Sequence, residues 1–207
     1  MLKLTINART KMHLNFVTSY HRGITMIEVL IAIVIFAFGL LAIAGLQLAA
    51  LKYQKGAWSR AGSATIATDL GERMRANVQA AREIPSRYQL LGSYNSLKAN
   101  PPTPSGCDSN STLCTAEEIA QNDLAEWYAN LAATLPGGVG TIVGSRDTGF
   151  LTTVMWFDKD FVDASLPAGT LGSSPVCSAG PPAVVTTSCC PAGTPPGVRC
   201  VNSAVLP

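Results

Sequence analysis

Residues 23–51, GITMIEVLIAIVIFAFGLLAIAGLQLAAL, decide how the rest of this chain is read. No charge follows Glu28 until Lys52, so Val29 to Leu51 is an unbroken run of 23 uncharged residues. A helix rises about 1.5 Å per residue and a hydrocarbon core is roughly 30 Å thick, so the run is long enough to cross a membrane. One residue resists that plain description. Glu28 stands at the start of the run, and an ionised carboxylate at a bilayer centre costs on the order of 2.5–3.5 kcal/mol. Either Glu28 reaches water at the membrane surface, or a partner of opposite charge compensates it.

Composition narrows the field. Of 207 residues, 47% are hydrophobic and 14% charged, which is too apolar for a disordered chain and too short for more than one or two domains. The formal charge of +2 is misleading, because Lys3, Arg9, Lys11 and Arg22 lie in a leading segment that has no acid. The remainder carries eleven Lys and Arg against thirteen Asp and Glu, a poor footprint for a nucleic-acid binder. Residues 1–23 read as a targeting segment and stay outside the fold. An ordinary secretory signal would be cut after 7–15 apolar residues, whereas here the cut is expected before the span, which is retained. Translation from Met1 or from Met12 gives a basic leader ending at the same glycine. The basic flank before the span predicts the leader inside and the C-terminal portion outside.

The residues at this junction, Gly23 followed by Ile24, Thr25, Met26, Ile27 and Glu28, resemble a type IV prepilin. The resemblance implies that a membrane prepilin peptidase cuts between Gly23 and Ile24, that Ile24 is then N-methylated, and that Glu28, fifth residue of the mature chain, serves assembly. Scission would create an α-amine that is charged near neutral pH. In an apolar fibre core that amine and a carboxylate can neutralise one another, and either alone would be costly. Gly39, Ala42, Gly45 and Ala49 add small residues at helical spacing, which let membrane helices approach closely.

Beyond the span there is no proline from Lys52 to Arg82, and a helix from Ile24 to near Ala81 is expected, roughly 85 Å at 1.5 Å per residue. Trp58, Ala61, Thr65, Leu70 and Met74 form its expected inner face. Residues 84–104, rich in Pro, Ser, Asn and Gly, read as loop. Thr115 and Glu118 make a capping box, opening a helix with Ile119, Leu124, Tyr128, Leu131 and Leu135 as its stripe, which Pro136-Gly137-Gly138 ends. Val139 to Val143 and Phe150 to Phe157 follow as a hairpin, with one face of the second strand on the long helix and Trp156 in the core. Weak strands are expected at 183–187 and 198–201. The Gly39-Leu40-Leu41 and Gly45-Leu46-Gln47 triplets, the RMRAN run at Arg73–Asn77, and the block from Cys114 to Gly138 are similar to minor pilins of the PilV type. That resemblance fades after Leu166.

Six cysteines in a loop-rich chain point to disulfides in an oxidising compartment. Cys107 and Cys114 form one expected pair. Cys189 and Cys190 are expected to bond to Cys177 and Cys200, in an order the sequence leaves open. Zinc is disfavoured, since no Cys-x-x-Cys occurs and no histidine is near. Asp158, Asp160 and Asp163 lack the rest of a calcium loop and read as a solvated acidic turn. The two histidines, His13 and His21, both fall in the leader, which removes imidazole catalysis from the mature chain, and no nucleotide-binding loop is present. No cofactor and no enzymatic activity are expected.

The expectation is an α+β, type IV pilin-like protein: a long N-terminal helix packed on a small antiparallel sheet, with a disulfide-stapled C-terminal region. Its regions are a leader (1–23), the span (24–51), the outer half of the helix (52–82) and a head (83–207), Cys-rich from about 170. As the resemblance implies, it is a single-pass inner-membrane protein with a periplasmic head that later joins a pilus, in adhesive or twitching fibres. Implied partners are prepilin peptidase, other minor pilins, the major pilin and the inner-membrane assembly platform, in priming assembly or at the tip. A minor pseudopilin of type II secretion would share the signal and the helix. A membrane-anchored thiol-disulfide enzyme using Cys189 and Cys190 is the reading of a different class.

Overall fold

The computed structural model of the chain describes residues 23–107, 113–177 and 187–207. The leader over residues 1–22 and most of the weak strand expected at 183–187 lie outside them. Contacts divide the chain into two units, residues 1–48 and 49–207. Helix α1 (Met26–Ala76) begins in the first unit, where every described side chain is exposed. By length and composition it suits a membrane crossing.

Within the second unit, α1 buries Ser59, Ser63, Ala67, Leu70, Gly71 and Met74. This stripe shares Leu70 and Met74 with the expected inner face but not Trp58, Ala61 or Thr65, and Trp58 is 61% exposed. Close packing, not hydrophobicity, selects it. A Cβ on Gly71 would touch Val205, one on Gly62 would touch Thr134, and the Trp127 indole N–H donates to the Ile66 carbonyl at 3.1 Å. Serine serves here as a small residue: Ser63 Oγ donates to the Arg60 carbonyl at 2.7 Å and so brings no unpaired polar group inside.

The long helix is also not continuous to Ala81. It is interrupted at Asn77, whose backbone (φ −115°, ψ 58°) leaves the helical region, before a short α2 (Val78–Arg82). The Asn77 side-chain amide donates to the Ala116 carbonyl at 2.7 Å, at the first residue of α4 (Ala116–Thr134), so the interruption docks one helix on another. The region expected as loop contains α3 (Tyr94–Ala99), capped by Ser93, whose hydroxyl accepts from the Ser96 amide. Tyr94 and Leu97, three residues apart, are both buried, which stabilises a helix too short to persist alone. Helix α4 carries the Thr115–Glu118 capping box and buries Ala120, Leu124, Ala125, Trp127, Tyr128 and Leu131, whereas Ile119 stays 39% exposed.

Strands β1 (Val139–Ser145), β2 (Gly149–Phe157) and β3 (Val198–Val205) form an antiparallel sheet in the order β1-β2-β3. Register sets Val139 opposite Met155 and Met155 opposite Cys200, and on the other face Gly140 opposite Val154 and Val154 opposite Val201. One face carries Ile142, Phe150, Val154, Trp156 and Val205 into the core built with Leu70, Met74, Trp127 and Leu131. Gly140 leaves room for Trp127, because a Cβ there would lie 2.2 Å from Cη2 of its ring. The opposite face is covered too: Val139, Met155, Val198 and Cys200 pack with Tyr94, Leu97, Tyr128 and Cys190. Leu90 closes the outer edge of β1 through paired backbone bonds with Ile142, at 3.0 and 2.9 Å.

Candidate functional site

At the start of α1, Gly23, Ile24 and Thr25 precede the first helical residue, Met26. The Thr25 amide and hydroxyl both donate to Glu28 Oε2, at 3.1 and 3.2 Å, and the Glu28 amide donates to Thr25 Oγ1 at 3.4 Å. This is a capping box, in which the hydroxyl and the carboxylate reciprocally satisfy amides that have no partner in the first helical turn. The carboxylate also lies where the helix dipole favours a negative charge. The sequence pattern Thr-x-x-Glu announces this at Thr25–Glu28 as clearly as at Thr115–Glu118. Thr25 has no role in the length or charge of the apolar run, and only this capping pattern marks it. Glu28 Oε1 makes no hydrogen bond among the described residues, so one oxygen holds the cap and the other is open to a cation.

Among the described residues the small residues of the span are all exposed. A Cβ added to Gly39 or Gly45 would meet nothing within 4 Å. The apolar side chains around them are equally bare, with Ile35 66%, Phe38 70% and Leu46 72% exposed.

In the second unit, the Arg73–Asn77 run is an anchor of four parts. Arg73 Nη1 lies 2.7 Å from Glu126 and 3.2 Å from Asp123, and its Nε lies 2.9 Å from Asp69. Partial burial lowers its pKa, but the hydrogen bonds to Glu126, Asp69 and Asp123 outweigh that and hold the guanidinium more firmly protonated. Met74 fills the core, Arg75 Nε donates to the Leu206 carbonyl at 3.3 Å, and Asn77 holds α4. The Tyr88 hydroxyl completes the cluster by donating to Asp123 Oδ2 at 2.5 Å. Burial first, then the bond and the charge of Asp123, push its pKa up.

The structure joins Cys107 to Cys114, Cys177 to Cys189 and Cys190 to Cys200. The adjacent Cys189 and Cys190 thus have different partners, and neither is a thiol. Asn202 on β3 ties this segment to the sheet. Its amide donates to the Cys189 carbonyl at 2.9 Å while its Oδ1 accepts from Thr153 Oγ1 at 2.7 Å. The Cys190–Cys200 bridge therefore lies against the second face of the sheet, beside Val139, Met155 and Val198.

The three aspartates of the acidic turn are not gathered. Asp158 pairs with Arg199 at 2.7 Å and Asp160 with Lys52 at 3.6 Å. Asp163 accepts from the Ser165 hydroxyl and amide, which lower its pKa. Among the described residues no group of three or more His, Cys, Asp or Glu is arranged to hold a metal.

Two family models match the chain. Residues 18–44 match the prokaryotic N-terminal methylation motif, and residues 45–125 match type IV pilin Tt1218. No curated protein and no solved structure matches it. The first match covers the Gly23–Glu28 junction and most of the span, while the second covers the rest of α1, the Arg73–Asn77 anchor and the start of α4. A capped apolar helix carrying the methylation motif, followed by a small antiparallel sheet with three disulfides, makes this chain an α+β protein of the type IV pilin fold.

Proposed function

We propose that the chain is a minor pilin of the PilV type, cut between Gly23 and Ile24, N-methylated at Ile24, and assembled with other pilins into a complex that primes fibre growth. One observation carries the reading: Glu28 uses Oε2 to cap its own helix and keeps Oε1 open, within a match to the methylation motif. Cleavage by a prepilin peptidase would free an amine at Ile24 in each subunit. An incoming subunit's amine would then meet a carboxylate already fixed in direction by Thr25. Preorganisation of this kind lowers the ordering cost of association. The bare faces of Gly39, Ala42, Gly45 and Ala49 supply the close approach that brings neighbouring helices into register. In this reading residues 24–51 are the polymerising span, residues 52–82 the outer helix and residues 83–207 the exposed head. The head sits in the periplasm before assembly and at the cell surface after it.

Glu28→Ala tests the proposal. The variant is expected to be processed and inserted normally yet to yield few surface fibres, and normal fibre numbers would overturn it. Mass spectrometry of the native protein provides a separate check. An N-methylated Ile24 with six bridged cysteines is expected, and an intact leader in working cells would overturn the assignment.

A further inference from the structure

A groove of about 580 Å³ lies in the second unit between α1 and the ends of β2 and β3. It falls within the range of small-ligand sites, roughly 300–1,000 Å³. Lys52, Lys55, Arg60 and Arg199 line it against two carboxylates, Asp158 and Asp160. The groove thus has two cations in excess, although the chain after Gly23 carries more acids than bases. Asp158 is taken by Arg199 and Asp160 by Lys52. Arg199 is further fixed over the Phe161 ring, 4.1 Å from its centroid. That leaves Lys55 and Arg60 as the cations with no counter-ion among the described residues.

The position of this groove along the chain indicates its ligand. Lys52 is the first charge after the apolar run, so this wall of the groove begins where the span leaves the hydrocarbon. Tyr53 and Trp58, 81% and 61% exposed, flank the cations, and aromatic residues of this kind settle at the headgroup level. A basic residue close to an anionic membrane surface is attracted to it.

From this arrangement we propose that the groove binds the phosphate of an anionic phospholipid, with Lys55 and Arg60 as ligands and the paired Lys52 and Arg199 as fixed walls. The site needs only that the span remain attached, so it stands or falls independently of cleavage and fibre assembly.

The test is native mass spectrometry of the full chain in detergent, titrated with phosphatidylglycerol, with phosphatidylcholine or with inorganic phosphate alone. Phosphatidylglycerol is expected to be retained about tenfold over phosphatidylcholine, and Lys55→Gln/Arg60→Gln is expected to remove that preference. Arg82→Gln/Arg146→Gln, which removes two exposed cations outside the groove, is expected to keep it. Lys55 and Arg60 are exposed, so an unchanged circular dichroism spectrum is expected and keeps the variant interpretable. Equal retention of the two lipids, or an equal loss in both double variants, would overturn the proposal. So would inorganic phosphate displacing phosphatidylglycerol at equal concentration, which would make the site one for a free anion.

Discussion

Two tyrosines show how one residue type serves opposite ends. The Tyr88 hydroxyl is bound to Asp123 inside the Arg73 cluster, whereas the Tyr128 hydroxyl is buried with no hydrogen-bond partner among the described residues. Losing a bond to a charged group costs about 1.5–3 kcal/mol, while removing an unsatisfied buried hydroxyl releases a desolvation penalty. Tyr88→Phe is therefore expected to destabilise the chain by about 2 kcal/mol and Tyr128→Phe to leave it unchanged or stabilise it, read from thermal unfolding in detergent. Both phenols also predict an alkaline limit. Burial, with a smaller contribution from Tyr94, raises Tyr128 to about 12, and burial with Asp123 raises Tyr88 further. A raised folded-state pKa gives stability that is complete below the unfolded value, near 10, and is lost as pH climbs through the folded one. Stability is expected to hold to about pH 10 and to fall steeply by pH 12, and a flat profile across that window would contradict the burial.

Among the elements, α1 depends on its first turn and the sheet on its closest contact. Thr25→Ala removes the hydroxyl that caps α1 but keeps the Glu28 carboxylate. A lost cap is worth about 1 kcal/mol, so hydrogen exchange at the Met26–Val29 amides is expected to speed up about fivefold. Assembly by Thr25→Ala is expected to fall less than by Glu28→Ala, since the charge remains; an equal loss would assign Glu28 a purely capping role. In the sheet, Gly140→Ala would drive a methyl group into the Trp127 ring. Overpacking of this kind costs about 1–3 kcal/mol, and an unchanged melting temperature would mean that the β1–α4 contact yields.

Across the whole molecule, the cysteines distribute the constraint. Cys190–Cys200 lies against the sheet face that carries Met155 and Val139, Cys177–Cys189 closes the segment before it, and Cys107–Cys114 closes a loop before α4. Each bridge is worth about 2–4 kcal/mol in the chain-entropy account. Replacing Cys190 and Cys200 by alanine is expected to destabilise the second unit by that amount and to expose Met155 to oxidation, as seen by peptide mapping. Fragmentation mass spectrometry is expected to find Cys189 joined to Cys177, and a Cys189–Cys200 link would refute this pairing.

Much of this architecture is legible locally. The apolar run between Glu28 and Lys52, the Thr115–Glu118 box, the Pro136-Gly137-Gly138 stop and the alternation along Phe150–Phe157 each follow from forces acting within a few residues. Other features depend on distant parts of the chain. The buried stripe of α1 uses Ser59, Ser63 and Ala67 because Trp127 and Val205 must come close, and no local pattern reveals that demand. Asn77 interrupts the helix because a carbonyl 39 residues away accepts its amide. The choice of Cys177 over Cys200 for Cys189 follows from β3, which sets Cys200 opposite Met155 and Asn202 under Cys189. The sequence by itself determined the long apolar helix and the capping box at its start, because helix formation and capping are settled by neighbouring residues. The tertiary structure alone decided which helix face is inner, how the cysteines pair and where the cationic groove forms, because those rest on contacts between segments far apart in the chain.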